Sequence, residues 1–173
     1  MEKKICKLIP LVGMEWDSRS IPFGCTRETA ENVLGAAEDT RGNRCYYFDH
    51  ELALDFDGEA KLEFIEFLGG ADSVLRPSLF GQDAFAADAD ELLDLLSERN
   101  GPDIDDDEAE YSYALRTLSI GMSREITPAD VDAMLLEMST MKLEVLGGVD
   151  VEEEMKKAHH WETIGIGVKD YYA

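Results

Sequence analysis

Apolar positions along this chain alternate between a period near two and a period near three and a half, which predicts short strands interleaved with short helices. A first strand is expected over Lys4 to Leu8. Ile21 to Gly24 then leads into Cys25-Thr26-Arg27-Glu28, where the Thr26 hydroxyl can cap a helix and Glu28 suits its positive end. Ala30, Val33 and Leu34 fall at helical spacing, and Gly35 suits the stop. Glu38 to Asn43 reads as a polar loop, and Cys45 to Phe48 as an aromatic strand. Leu52, Leu54 and Phe56 alternate with Ala53 and Asp55, Asp57-Gly58 is a turn signal, and Lys61 to Leu68 is a third strand. Phe64 and Ile65 are adjacent, so that strand needs a bulge or cover on both faces.

A second series starts at Leu79-Phe80-Gly81. Asp88 with Glu91 resembles a capping box, and Leu92, Leu93, Leu95 and Leu96 give the helix a broad apolar face. Asn100-Gly101-Pro102 stops it. Tyr111 to Tyr113, Leu118 to Met122 and Trp161 to Val168 read as strands. Before the last of them, Thr127-Pro128 opens a helix with Val131, Met134, Leu135 and Met138 on one face, stopped at Gly147-Gly148. Asp150 caps a further short helix, in which Glu152, Glu153 and Glu154 precede Lys156 and Lys157.

The two series match: helix, aromatic strand, alternating strand, long apolar strand. The halves run over about 20–70 and 78–173, with a helical insertion over about 127–160 in the second. Either alone is too small for a good core, so the expected fold is α+β: one domain over 1–173 with an antiparallel sheet from two similar α-β-β-β halves and helices on one face.

Composition narrows the function more than any motif does. The chain has 38 acidic and 16 basic residues, a net charge of -22. Such a field repels nucleic acid and anionic membrane and attracts basic partners. The start, MEKKICKLIPLVGMEW, lacks a signal-type apolar run, and no stretch is long enough to span a membrane, so a cytoplasmic protein is expected. Cys6, Cys25 and Cys45 form no C-x-x-C pair and are expected to be reduced thiols.

The strings IPFGCTRETAENVLGAAED and CYYFDHELALDFDGEAKLEFIEF, taken in tandem, resemble the β-lactamase-inhibitor-protein type of architecture. YSYALRTLSIGMSRE and WETIGIGVKDYY resemble small acidic immunity proteins of bacterial toxin systems. The resemblance implies a protein that occludes a toxin or enzyme. The chain departs from the inhibitor pattern in having no evident disulfide pair, and no binding residue carries over.

Candidate partner-binding residues are therefore chosen from chemistry. The run Asp103, Asp105, Asp106, Asp107, Glu108 and Glu110 can present carboxylates to Lys or Arg, and Tyr171 and Tyr172 can anchor an interface. Read as a calcium loop the run fails, because Glu108 stands where Gly is needed and Ala114 where Glu is needed. His50, His159 and His160 lack metal-ligand spacing, and no cofactor motif is present. Gly165 and Gly167 alternate in a strand, which suits close packing of another element rather than phosphate binding. Asp55 and Asp57 are explained by a turn. The expectation is an acidic module for a basic protein partner. The alternatives are a small cysteine-dependent enzyme using Cys25 with His50 or His160, and an oligomeric structural protein.

Overall fold

The computed structural model describes residues 2–140 and 150–173. Its strands are β1 (Lys4–Ile9), β2 (Gly13–Trp16), β3 (Arg19–Pro22), β4 (Asp39–Arg41), β5 (Arg44–Tyr47), β6 (Leu52–Phe56), β7 (Leu62–Phe67), β8 (Leu75–Leu79), β9 (Gln82–Asp83), β10 (Ile104–Asp105), β11 (Ser112–Leu115), β12 (Ile120–Ser123) and β13 (Thr163–Gly167). Its helices are α1 (Arg27–Leu34), α2 (Ala89–Asn100), α3 (Pro128–Thr140) and α4 (Val151–Ala158), with a 3-10 turn at Gly70–Asp72. The fold is α+β, with the strands in two sheets.

The eight-stranded sheet runs β10-β11-β12-β13-β7-β6-β5-β4 and is antiparallel throughout. The two halves are visible in its register. Tyr47 pairs with Leu52 across one hairpin and Leu115 with Ile120 across the other, so both turns have the same length. The halves meet at β7 and β13, where Phe67↔Ile164 and Ile65↔Ile166 flank Glu66↔Gly165, as a two-fold relation between the halves requires. Each series begins with a helix capped by a side-chain oxygen: Thr26 accepts from the Thr29 amide, and Asp88 from the Asp90 and Glu91 amides. Each of these helices ends on a glycine in the left-handed region, Gly35 at φ 88° and Gly101 at φ 84°. The helical insertion, α3 and α4, belongs to the second half alone.

The pleat sorts the side chains. On the inner face Cys45, Leu54, Ile65, Ile166, Ile120 and Leu115 form one cross-strand row, and Tyr47, Leu52, Phe67, Ile164, Met122 and Tyr113 the next. This face packs against Ala30 of α1, Ala89, Leu92 and Leu96 of α2, and the inner residues of the second sheet. That sheet has the order β3-β2-β1-β8-β9 and supplies Cys6, Leu8, Met14, Ile21, Leu75 and Leu79 to the same core.

Several local expectations are corrected. Glu38 to Asn43 contains the edge strand β4, paired with β5, rather than a loop. β2, β3 and β8 are strands that the sequence pattern does not predict. β8 pairs with β1 in parallel, so the molecule has a second sheet beside the expected antiparallel one. The alternation read in β6 is not half-buried: Leu52, Ala53 and Leu54 are all buried. On α3 only Val131 is buried, while Leu135 lies at the surface. The expected stop at Gly147-Gly148 lies outside the described residues. Of the two explanations for the adjacent Phe64 and Ile65, cover on both faces holds, with Ile65 in the core and Phe64 under Tyr171; a bulge is present too, but at Glu63, where Phe56 pairs with Leu62, and it does not involve this pair.

Candidate functional site

On the outer face of the eight-stranded sheet the two halves differ in side-chain size. One half carries Tyr46, Arg44, Asp55, Phe64 and Glu66 with one small residue, Ala53; the other carries Ser112, Ala114, Gly121, Ser123, Thr163, Gly165 and Gly167. The cross-strand row Glu66, Gly165, Gly121, Ala114, Asp105 therefore has a carboxylate at each end and three very small residues between. Four strand spacings separate its ends, about 19 Å. The trough is a concavity of about 400 Å³ bordered by Glu66, Asp105, Asp107, Glu108, Ser112 and Tyr172.

Its far wall is the acidic run, which is anchored from two sides. Arg116 donates to Asp103 Oδ1 at 3.3 Å, to Asp105 Oδ2 at 3.3 Å and to the Tyr172 carbonyl at 3.2 Å, joining the run to the C-terminus. The buried Arg124 donates to the Glu110 carbonyl at 2.6 Å and to the Ala158 carbonyl at 2.8 Å, and its guanidinium lies 4.8 Å from the Trp161 ring centroid. Asp105 Oδ1 accepts the Asp107 amide at 3.1 Å and Glu108 Oε2 accepts the Ser112 hydroxyl at 3.2 Å, so the acidic loop is folded onto itself rather than trailing.

The near wall is aromatic. Tyr171 stacks on Phe64 with centroids 4.5 Å apart, and Tyr172 meets Tyr171 edge-on at 5.2 Å. The small residues seat this clasp: a Cβ on Gly121 would collide with the Tyr172 hydroxyl, one on Gly167 with Tyr171, and one on Gly165 with the Phe64 ring. Burial pushes the Tyr172 phenol pKa up, with Glu66 adding to it. Beside the clasp, Arg44 donates to Asp55 at 2.8 Å and to Glu66. Burial opposes the Arg44 charge, but the Glu66 hydrogen bond and Asp55 hold its pKa above the usual value. Asp55 is itself raised, because burial outweighs the neighbouring guanidinium.

Of the residues singled out from the sequence, Asp105, Asp107, Glu108 and Tyr172 converge on the groove. Tyr171 lies beside it. Asp103 is held at its rim by Arg116, while exposed Asp106 and Glu110 are not part of its lining. Sequence reasoning missed Glu66, Ser112, Ala114, Gly121 and the organiser Arg116. The small residues of β12 signal Gly121 alone; nothing in the local pattern marks Glu66, Ser112, Ala114 or Arg116.

The cysteine alternative has no geometric support. Thr26, not Cys25, caps α1, and no hydrogen bond joins Cys25 to an imidazole among the described residues. His50 stacks on Tyr46 at 4.5 Å, and His160 Nδ1 lies 3.0 Å from the Ala87 carbonyl. Burial raises the Cys25 thiol pKa, the reverse of nucleophile activation. Among the described residues no group of three His, Cys, Asp or Glu is placed to hold a metal ion, and no helix is long and apolar enough to cross a membrane. No family model matches this chain, and comparison with curated proteins and with solved structures returns no match.

Proposed function

We propose that the chain is an acidic protein-binding module that occludes a basic partner, in the manner of an immunity-type inhibitor, through the outer face of its eight-stranded sheet. One observation carries this reading: the trough floored by Ser112, Ala114 and Ser123 lies between the carboxylates of Asp105, Asp107 and Glu108 and the Tyr172 ring, which itself covers Gly121. A shallow floor lets a partner's loop or side chains approach the sheet. Carboxylates then supply charge-assisted hydrogen bonds to Lys or Arg, and the tyrosines supply rigid contact area. The surrounding field of -22 steers a cationic protein toward the surface.

The test separates the groove from bulk charge. A basic partner is captured on the immobilised chain, identified by mass, and its affinity measured for two triple variants of equal charge change. Asp105→Asn/Asp107→Asn/Glu108→Gln should weaken binding more than tenfold, mostly through faster dissociation. Glu28→Gln/Glu59→Gln/Glu152→Gln, away from the groove, should weaken it less than twofold and chiefly through association. Equal losses in both would mean that the groove has no special part.

A further inference from the structure

Part of the sheet floor beside the trough is covered by the chain itself. Val168 fixes the near end of the covering segment. Its amide donates to the Glu63 carbonyl at 2.9 Å, and its carbonyl accepts the Ser119 hydroxyl at 2.8 Å and the Tyr171 amide at 3.0 Å. Past Val168 the backbone reverses. Of the two central residues of this turn only Asp170 has a positive φ, 67°. That is the pattern of a type II turn, which favours glycine at this position. The Asp170 side chain is exposed and makes no hydrogen bond among the described residues, so the turn is held by its backbone alone.

Residues 169–173 join no β-ladder. The Tyr171 and Ala173 amides bond within the turn, to the Val168 and Asp170 carbonyls. The Arg116 guanidinium, donating to the Tyr172 carbonyl at 3.2 Å, makes the one hydrogen bond among the described residues from this segment to the body of the molecule. The remaining hold comes from two rings: Tyr171 on Phe64 and Gly167, and Tyr172 on Gly121. A segment with so few hydrogen bonds, hinged at a φ that suits another residue, belongs to the low-stability end of a fold. Its position matters for the trough. Gly121 is the cross-strand neighbour of Ala114, so the Tyr172 ring ends the open floor there and closes it on the Glu66 side.

We propose that residues 169–173 are an autoinhibitory strap, closed over Gly121 and Gly167 in the free chain and lifting about Asp170 to admit a partner to the full width of the floor. The inference rests on the trough being the partner surface and adds the regulation of that surface. Apparent affinity is then reduced to the fraction of chains with the strap open. The closed strap also shows what the uncovered floor accepts: aromatic rings laid on glycine, between flanking carboxylates. The two tyrosines stay on the chain when lifted and remain free to touch what has entered.

The test compares two substitutions of equal charge change in the full chain. Asp170→Gly suits the positive φ, whereas Asp170→Pro, with φ held at about −65°, forbids it. Amide exchange at Tyr171 and Ala173 reads the strap, and NMR titration with a blocked Lys-Tyr-Tyr-Lys peptide reads the floor, with Lys-Ser-Ser-Lys as the charge control. The proline variant should lose protection at both amides and bind the tyrosine peptide roughly tenfold more tightly than the glycine variant, while the serine peptide gains nothing. Equal affinity in the two variants, amides that stay protected in the proline variant, no saturable binding to it, or an equal gain for the serine peptide would each overturn the strap. The groove reading is decided separately. If Asp105→Asn/Asp107→Asn/Glu108→Gln weakens the tyrosine peptide in the proline background while the two Asp170 variants bind alike, the groove stands and the strap falls. If the triple variant changes nothing, the groove falls and the strap with it.

Discussion

Tyr47 buries its hydroxyl under the sheet without a hydrogen-bond partner among the described residues, and burial raises the phenol's pKa. A buried unsatisfied hydroxyl costs roughly 1–3 kcal/mol, while the ring itself is core material. Tyr47→Phe keeps the ring and removes the orphan. It should leave the urea midpoint unchanged or raise stability by about 1 kcal/mol. A clear loss would show that the hydroxyl has a bound water as partner. The thiols make a second case. Burial pushes the Cys6 pKa up to about 12 and raises that of Cys25, and Cys45 is buried too. Iodoacetamide on the native chain at neutral pH should therefore label Cys25 alone and slowly, with Cys6 and Cys45 reacting only after denaturation, as read by mass spectrometry. At this scale the helix caps were legible because a cap is a local bargain between a side chain and amides two or three residues on. Arg116 and Arg124 were not, since Arg116 acts on Tyr172 and Arg124 on Ala158, contacts that spacing along the chain does not encode.

Strands β12 and β13 show what an element needs from its neighbours. Gly165 pairs with Glu66 in the middle of the sheet, and a methyl group there would meet the Phe64 ring and, at 3.3 Å, the Ile65 carbonyl. Gly165→Ala should cost about 1–3 kcal/mol by forcing Phe64 from under Tyr171, seen as a lower thermal midpoint. Gly121→Ala meets the terminal Tyr172 instead, so it should cost less stability but free the clasp, detectable as faster amide exchange over Val168 to Ala173. The alternating glycines were read correctly as a seat for another element, although the occupant could not be named before the chain was folded. β8 stayed hidden for a physical reason. Its sequence, Leu75-Arg76-Pro77-Ser78-Leu79, carries a proline and a charge that argue against a strand. The fold tolerates them because β8 finds β1 as a distant parallel partner, and because Arg76 is enclosed by Asp83 and the carbonyls of Ala71 and Ser73.

For the whole molecule, the doubled series of elements was legible because each half repeats the same hydrophobic rhythm. The groove was not, because it arises from how the halves differ across a shared sheet. The charge that frames it also sets a stability that depends on the solvent. Most of the ion pairs are at least partly exposed and contribute little each, whereas 22 uncompensated negative charges repel one another in the compact state. Raising NaCl from about 10 to 300 mM shortens the screening length from about 30 Å to below 10 Å, so it removes long-range repulsion before it removes short contacts. The thermal midpoint should therefore rise with salt; a fall would mean that the exposed pairs outweigh the repulsion. Acid divides the carboxylates by the sign of their shifts. Hydrogen bonds from Arg27, Lys156 and Tyr111 hold Glu31, Asp72 and Asp130 below their usual values, so the stability they contribute is present above the unfolded pKa and lost as pH falls through the folded one. Asp55 is shifted upward by burial, so its contribution is present below the unfolded pKa and lost as pH rises through the folded one. Acidification also protonates ordinary carboxylates and relieves the net charge. At low salt the midpoint should hold or rise as pH falls from neutral toward about 5, then drop below about 4 as the lowered group protonates. Asp55→Asn should flatten the profile just above the ordinary aspartate value and leave the acid limb in place, which a series of melts across pH would resolve.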